Sequence, residues 1–399
     1  MGSNYLIGEF CSFAKGASIP RDRMFDCGPW KYLHYGDLYK GHNLYIDIEK
    51  PTKAIPFISD DERIKSDQFV SDGDIIYVLT SETIDDLGKA LMVKGGEGEE
   101  IVAGTETTVM RIENCDVANP AYINYMLQTE LFKRKLRQYV TGMKVFRVHP
   151  RDIAKIEVNL PDIDTQNKVV HILDAIYEKC SNINRLNDYL AEMADALFAD
   201  AFGDLEDNAV LSDIANITMG QSPAGTSYNE EGVGTVFYQG RGEFGWRYPT
   251  QRLFTTEPKR MAKAGDVLMS VRAPVGDLNL AYEDCCIGRG LAAISCDYPS
   301  YCLYLMRSLS KKLDAYNGEG TVFGSINGKA LKGLEIALPG IDDIATFEAM
   351  VAPIDAQIRC NETESRSLSQ LRDALLPKLM SGEIDVSKVD LTQLNNHLV

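Results

Sequence analysis

Hydrophobic positions recur at intervals of three and four along a stretch of about forty residues that ends near Gly203. This spacing is typical of one face of an amphipathic helix, and neither Pro nor Gly interrupts it. At 1.5 Å per residue, such a helix is a rod of roughly 60 Å. Because few globular helices are this long, the pattern predicts a coiled coil or a spacer. The apolar stripe consists of Val169, Ile172, Leu173, Ile176, Cys180, Ile183, Leu186, Leu190, Met193 and Leu197.

A second helical pattern of the same kind begins after Leu338-Pro339 and runs to about Met380. Asn184 and Asn361 occupy corresponding mid-helix places in the two patterns. Neither helix could bury its apolar stripe alone, so we expect the two to pair as an antiparallel coiled coil. The second stripe consists of Phe347, Met350, Val351, Ile354, Ile358, Leu368, Leu371, Leu375 and Leu379.

The segment before each helix carries the same order of shorter elements. In residues 1–160, a Gly-Asp turn leads into an apolar run at 75–79, and further strand patterns follow at 90–93 and 106–112. Pro120 then opens a helical pattern that continues through Leu136, and a short strand at 156–158 leads into the first long helix. Apolar runs of this length that are bounded by turn residues are typical of buried strands.

Residues 206–340 repeat this order. Gly265-Asp266 precedes an apolar run at 267–271, a glycine loop at 288–290 enters another strand pattern, and Pro299 opens a helix. The chain therefore looks like an internal duplication. We predict an α+β protein, with a small β-sheet and helices in each domain and a pseudo-two-fold axis. The predicted boundaries are domain 1 at 1–160, helix 1 at 161–205, domain 2 at 206–340, helix 2 at 341–382 and a tail at 383–399.

Net charge separates the helices from the domains. Of the total of −17, residues 1–160 carry −4 and residues 206–340 carry −2, so −11 lies on the two helical stretches. This total argues against a protein that coats nucleic acid, but each nearly neutral domain could present a basic face. The nine cysteines lack CxxC spacing, and no run of 18 apolar residues or secretory signal is found. These features predict a cytoplasmic protein with reduced thiols and no membrane contact.

The stretch from Tyr238 to Tyr248 is the best candidate for DNA contact in the second domain. Gln pairs with adenine and Arg with guanine in the major groove, and aromatic rings could pack on thymine methyls or sugars. A surface hairpin with ordinary packing is the alternative. Its glycines spell GxGxxG, but no helix follows, so the segment is not a dinucleotide site. The candidate residues here are Gln239, Arg241, Phe244, Trp246, Arg247 and, just beyond, Arg252.

Further candidates lie outside this loop. Arg272 and Arg289 follow strand patterns, where they could contact phosphate or pair with internal carboxylates. The basic run at 133–137 could hold phosphate or could be a solvated helix face. In the first domain, the candidate DNA-binding residues are Arg21, Arg23, Lys31, Tyr32, Lys144 and Arg147.

The sequence lacks the motifs of several enzyme classes. An adenine methyltransferase needs Asn/Asp-Pro-Pro-Tyr/Phe, and the chain contains no Pro-Pro pair. HExxH, GKS/T and Gly-x-Ser-x-Gly are also missing. We therefore predict no catalytic, metal-binding or cofactor-binding residue in this chain.

Two segments resemble a known family. Gly265–Gly276 with Cys286–Ile294 is similar to the target recognition domain of specificity (S) subunits of type I restriction-modification systems, and Leu371–Ile384 resembles the end of that family's C-terminal helix. The resemblance implies a non-catalytic reader of a bipartite site in double-stranded DNA. It also implies two methyltransferase (M) subunits, which carry S-adenosylmethionine, and restriction (R) subunits as partners. The alternative is a protein-binding scaffold in another DNA-linked defence assembly.

Overall fold

The computed structural model describes residues 2–39, 41–49, 51–96, 100–318 and 324–389. The chain forms two compact units. Unit 1 contains residues 1–181 and 366–399, and unit 2 contains residues 182–365. The unit boundaries fall inside the two long helices, so the first part of each helix belongs to the unit of the preceding domain and the rest belongs to the other unit. The predicted tail beyond residue 389 lies outside the described residues.

Unit 1 is built from short strands with helices between them. The elements are β1 (Ser3–Leu6), β2 (Cys11–Lys15), β3 (Trp30–Leu33), α1 (Tyr35–Tyr39), β4 (Tyr45–Asp47), β5 (Phe57–Ile58), β6 (Ile75–Val78), β7 (Thr80–Ser81), β8 (Ala90–Lys94), β9 (Ile101–Ala103), β10 (Thr107–Ile112), α2 (Pro120–Gln128), α3 (Glu130–Arg137), β11 (Phe146–Arg147), α4 (Pro150–Ile153), β12 (Glu157–Leu160) and the long helix α5 (Ile163–Phe202).

The main sheet of unit 1 has the strand order β2-β10-β6-β8-β4, and a second sheet has the order β5-β3-β9. Strand β6 is buried at every position, as its apolar run predicts. Helix α2 covers the main sheet with seven consecutive buried residues from Ala121 to Leu127. Residues 30–65, which the sequence pattern left without an assignment, supply β3, α1, β4 and β5.

The helix predicted from Pro120 through Leu136 is wrong in one respect, because it is two helices. Thr129 has extended backbone angles (φ −72°, ψ 145°), and its side chain accepts a hydrogen bond from the Phe132 amide. Threonine at this position caps α3 and so stops α2, since a cap residue lies outside the helical conformation.

Unit 2 is also built from short strands with helices between them. The elements are β13 (Ala209–Val210), β14 (Asn216–Met219), β15 (Tyr228–Asn229), β16 (Thr235–Tyr238), β17 (Phe254–Thr255), β18 (Met261–Ala262), β19 (Val267–Ser270), β20 (Leu278–Leu280), β21 (Cys285–Ile287), β22 (Leu291–Ser295), α6 (Pro299–Ser308), α7 (Ser310–Asp314), α8 (Gly328–Lys332), β23 (Glu335–Ile336) and the long helix α9 (Ile341–Ser381).

The main sheet of unit 2 runs β14-β22-β19-β20, which repeats the order of the first four strands of the unit 1 sheet, where β4 adds a fifth strand. A second sheet of five strands runs β15-β17-β16-β21-β18. In both units the first and last strands of the domain pair with each other, as β1 with β12 and β13 with β23. In both units a strand of the second sheet also pairs in parallel, as β3 with β9 and β16 with β21. The molecule is thus a mixed α/β protein with two sheet-rich domains and long helices.

The long helices pack on the domain within each unit. In unit 1, Val169 and Leu173 of α5 share a buried cluster with Leu379 of α9. In unit 2, the Phe347 ring lies 5.5 Å from the rings of Phe198 and Phe202.

A polar contact lies between the helices of unit 2. Asn361 Nδ2 donates to Asn187 Oδ1 at 2.8 Å, and both side chains are buried. Asn184, which corresponds to Asn361 by sequence position, is exposed instead.

Candidate nucleic-acid interface

The predicted loop of unit 2 is held by its own backbone and by Asn279. The Gly245 amide donates to Asn279 Oδ1 at 3.0 Å, and Asn279 Nδ2 donates back to the Gly245 carbonyl at 3.0 Å. This pair fixes the loop after β16 and leaves Gln239 and Trp246 exposed, with 51% of Trp246 accessible. Phe244 is half-buried against the cluster beneath the second sheet.

Two predicted arginines of this loop are exposed but already paired with carboxylates. Arg241 forms an ion pair with Asp277, and both side chains are 45% accessible. Arg252 lies 2.8 Å from Glu243 and 3.5 Å from Glu230. An arginine in such a pair reaches a base or phosphate only after it leaves its carboxylate, so these two are weaker DNA-contact candidates than the sequence suggested.

Arg247 has a structural position. Its side chain is 6% accessible, forms an ion pair with Asp355 of α9, and donates to the Tyr304 hydroxyl at 3.2 Å. Tyr304 also donates to Asp355, at 2.9 Å. The guanidinium therefore links the loop to α6 and α9, and its burial leaves it inaccessible to a DNA duplex. The sequence pattern could not separate this arginine from its neighbours, because its partner lies 108 residues away.

Three other predicted residues of unit 2 meet at the glycine loop between β21 and β22. The Gly290 amide donates to the Gln239 carbonyl at 3.2 Å, and the Val271 amide donates to the Gly290 carbonyl at 2.9 Å. These bonds bring Gln239, Arg272 and Arg289 to the same edge of the unit, where all three are exposed. A Cβ atom at position 288 would lie 2.9 Å from the Gln239 backbone, so this close approach requires glycine.

In unit 1, the predicted residues of the first hundred positions divide into exposed and internal ones. Arg21 and Arg23 are exposed in a single turn, and Arg23 forms an ion pair with Glu62 at 2.6 Å. Lys31 is half-buried and donates to the Ile48 carbonyl at 3.1 Å. Tyr32 is fully buried, and its hydroxyl donates to the Ala17 carbonyl at 2.8 Å. Tyr32 is therefore part of the core and not of a DNA-contacting surface.

His34 follows Tyr32 at the end of β3. Its Nδ1 accepts a hydrogen bond from the Gly36 amide at 3.1 Å. Burial, and then the positive charge of Arg21, hold the pKa of His34 below its ordinary value of 6.5. A neutral imidazole at this place matches its role as an acceptor.

Lys144 and Arg147 are brought together by a tight hairpin. Thr141 and Arg147 exchange backbone hydrogen bonds at 2.9 and 2.8 Å, and Gly142 in the turn has a φ of 102°. Lys144 is exposed at the tip. Arg147 is exposed at the base, where it lines a cleft of about 870 Å³.

Several basic residues that line clefts were missed by the sequence argument. Arg151 belongs to the cleft of Arg147 in unit 1. In unit 2, Arg260, Lys329 and Lys332 line a second cleft, of about 540 Å³. The repeat itself was the available signal, since α4 and α8 occupy the same place in the element order. The sequence also repeats Val-Phe shortly before these helices, at 145–146 and at 322–323, but residues 322 and 323 lie outside the described residues.

The described residues offer little for other chemistry. No group of three or more His, Cys, Asp or Glu side chains among them could hold a metal ion. No helix in the described ranges combines the length and the apolar character needed to cross a bilayer. Cys285 and Cys286 are buried in β21.

Comparisons with known proteins point to one class. The putative type I restriction enzyme MjaX specificity subunit of Methanocaldococcus jannaschii is 29% identical over 342 residues, which cover 79% of each chain. The HindI specificity subunit of Haemophilus influenzae is 20% identical over 446 residues, covering 88% of this chain and 94% of that protein. No family model matches the chain.

A solved structure supports the fold. The type I restriction-modification S subunit from M. genitalium has a TM-score of 0.58 and 14% identity, covering 94% of this chain and 95% of that chain. At this identity the likeness concerns the fold alone.

The relatives confirm the predicted resemblance to the specificity subunits of type I restriction-modification systems. This similarity favours the specificity function over the alternative of a protein-binding scaffold.

Proposed function

We propose that this chain supplies the DNA sequence specificity of a type I restriction-modification complex, with one target recognition domain in each unit reading one half of a bipartite site. The observation that carries the proposal is the repeated strand order of the two domains, each followed by a helix of 40 or 41 residues. Two similar readers in one chain parallel the two halves of a dimeric DNA-binding protein, whose half-site spacing is set by geometry.

The long helices are proposed to pair as an antiparallel coiled coil that sets the unread gap between the half-sites. Supporting contacts occur inside unit 2, where Phe347, near the start of α9, packs on Phe198 and Phe202, near the end of α5. Asn361 contacts Asn187, which lies earlier on α5, and this contact also supports an antiparallel arrangement of the two helices. The remaining outer faces of the helices offer docking surface for M subunits.

In this proposal the chain catalyses nothing itself. Two M subunits hold S-adenosylmethionine and methylate adenine, and R subunits join for cleavage. The lack of an adenine-methyltransferase motif in the sequence supports this division of labour. The DNA contacts are proposed to come from the exposed candidates: Gln239, Trp246, Arg272, Arg289, Arg21, Lys144 and Arg147, with Arg241, Arg252 and Arg23 after release from their carboxylates.

A genome-wide map of N6-methyladenine tests the proposal. Cells that express the M subunit throughout are compared with and without this gene, and a frameshifted copy of the gene is the control. We expect a split motif, with two short halves and a fixed gap, only when the intact gene is present. A methylation pattern that does not depend on the gene would contradict the proposal and favour the scaffold alternative.

A further inference from the structure

Each unit has a basic cleft between one edge strand of its main sheet and one short helix. Cleft 1, in unit 1, lies between β2 and α4, and its basic side chains are Lys15, Arg147, His149 and Arg151. Cleft 2, in unit 2, lies between β14 and α8, and its basic side chains are Arg260, Lys329 and Lys332. The volumes are about 870 and 540 Å³.

The backbone around cleft 1 is fixed by a short series of hydrogen bonds. The Val148 amide donates to the Leu79 carbonyl at 3.1 Å, and the Leu79 amide donates to the Glu106 carbonyl at 3.0 Å. His149 then caps α4, because its Nδ1 accepts from the Arg151 amide at 3.1 Å.

The same series occurs around cleft 2. The Ile326 amide donates to the Val271 carbonyl at 3.1 Å, and the Val271 amide donates to the Gly290 carbonyl at 2.9 Å. Asn327 caps α8, accepting from the Lys329 amide at 3.0 Å. The two clefts are therefore the same structural place in the two domains.

An arginine lies beside each cleft, but it is on a different one of the two paired strands in the two units. In unit 1, Arg147 on β11 lies opposite Thr80 on β7 in an antiparallel strand pair. At the matching bridge of unit 2, Ser325 stands in the position of Arg147, and Arg272 stands in the position of Thr80. The positive charge is present at both bridges although the residue that carries it differs, which is expected if the place needs a cation and either strand can supply it.

The cations of the clefts are available to an external anion. Within the described part of the chain, no ion pair to a carboxylate involves Lys15, Arg147, Arg151, Arg260, Arg272, Lys329 or Lys332.

The acidic groups of cleft 1 are engaged locally. Glu106 accepts from the Thr80 hydroxyl, and Asp152 pairs with Lys155 at 2.8 Å. Among the residues that the structure describes, none that lines cleft 2 is acidic. In a chain with a net charge of −17, two matching clefts with unpaired cations are a specific concentration of positive charge.

We propose that clefts 1 and 2 bind the sugar-phosphate backbone of DNA, one cleft for each half-site. The inference rests on the proposed function and adds where the backbone is held. Phosphate contacts fix the register of a reader on the duplex, whereas base edges carry the sequence information. The clefts therefore set affinity and salt dependence, and the neighbouring edge with Gln239 and Arg289 reads bases.

The test uses the full chain assembled with its M subunit and a duplex that carries the methylated motif. Dissociation constants are measured between 0.05 and about 0.3 M salt for the wild type and for two double variants, Lys15→Ala/Arg147→Ala and Lys329→Ala/Lys332→Ala. Each lost phosphate contact lowers the slope of log Kd against log salt by about 0.9 and weakens binding roughly fivefold at 0.15 M salt. The methylated motif itself should stay the same.

The strand exchange of the bridge cation provides a rescue. Arg272→Ser should weaken binding, and Arg272→Ser/Ser325→Arg, which gives unit 2 the arrangement of unit 1, should restore most of the affinity. The matched control is Arg307→Ala, since Arg307 is an exposed arginine of unit 2 that is paired with Asp195 at 2.6 Å, outside the clefts and outside the proposed DNA contacts. The control should leave the affinity and the slope unchanged.

Unchanged affinity and slope in the cleft variants, with a motif that still depends on the gene, would overturn the inference and leave the proposed function standing. Loss of M-subunit binding with unchanged DNA affinity would assign the clefts to a protein partner and would also overturn it. If the wild-type gene directs no motif, the proposed function itself has failed.

Discussion

At the scale of single residues, ion pairing decides which cations are available to DNA. Arg241, Arg247 and Arg252 are close in sequence, yet each is paired with a carboxylate. Arg272 and Arg289 are exposed and enter no ion pair within the described ranges. Breaking a buried ion pair such as that of Arg247 with Asp355 destabilises the fold, because one charge is left buried without its partner. The number of arginines near this loop therefore does not show how much positive charge is available to DNA. The carboxylate partner of each arginine must also be known.

Two buried histidines predict acid sensitivity in unit 1. Burial lowers the pKa of both His34 and His42 from 6.5. Within the described part of the chain, neither ring nitrogen of His42 has a hydrogen-bond partner. Because the folded state resists protonation, the stability of unit 1 should be full above pH 6.5. It should fall as the pH drops from 6.5 towards the lowered pKa values.

Amide hydrogen exchange at several pH values between 7.5 and about 5, corrected for intrinsic rates, measures this effect unit by unit. Residues 182–365 contain no histidine, so unit 2 is the internal control. His42→Gln should reduce the loss of protection in unit 1. Equal loss in both units, or a variant as sensitive as the wild type, would show that the histidines are not responsible.

At the scale of elements, periodicity carried the prediction well where an element buries one continuous face. The stretches predicted from the apolar stripes contain α5 and α9, and the apolar runs at 75–79 and 267–271 contain β6 and β19. It failed at Thr129, where one cap residue outweighs the surrounding helical pattern. It also left residues 30–65 unassigned, because β4 and β5 are two or three residues long and derive their order from partners distant in sequence.

The candidate site was harder to predict than the fold. Lys144 and Arg147 could be recognised because a seven-residue hairpin brings them together locally. The clefts could not, since Lys15 and Arg151 become neighbours only after β2 and α4 are placed. Arg247 was misjudged for the same reason, because the carboxylate that buries it lies on α9.

We predict that the hydrogen bond between the two buried asparagines of unit 2 helps to fix the register of the two long helices. Asn361→Leu should destabilise the unit by about 1–3 kcal/mol, because it leaves Asn187 buried without its partner. The double variant Asn187→Leu/Asn361→Leu should recover most of that loss, since both polar groups are then replaced by apolar ones. Urea denaturation of the four members of this double-mutant cycle gives the coupling energy.

Asn184→Leu is the matched control for this cycle. Asn184 lies on the same helix but is exposed, so the change should stay within about 0.5 kcal/mol. A single Asn361→Leu variant as stable as the wild type would remove the asparagine contact from the account of register.

At the scale of the whole molecule, the charge distribution separates two tasks. The stretches that contain the long helices carry −11 of the total −17, whereas the two domains are nearly neutral. Acidic helices would repel a DNA backbone, so we expect the proposed DNA binding at the basic clefts and exposed cations of the domains. Because each unit has its own cleft, we expect the two units to read DNA independently.

Independent reading predicts that a change in one unit alters one half of the motif. Gln239 is exposed at the reading edge of unit 2, and a paired hydrogen bond from Gln to adenine discriminates against other bases by about 1–3 kcal/mol. Gln239→Ala should therefore relax one position in one half of the methylated motif, while the other half and the gap stay the same. Gln251→Ala is the matched control, because Gln251 is also exposed in unit 2 but pairs with Glu283. Methylation maps of the two variants decide the matter: an unchanged motif would remove Gln239 from base reading, and a change in both halves or in the gap would show that the units do not read independently.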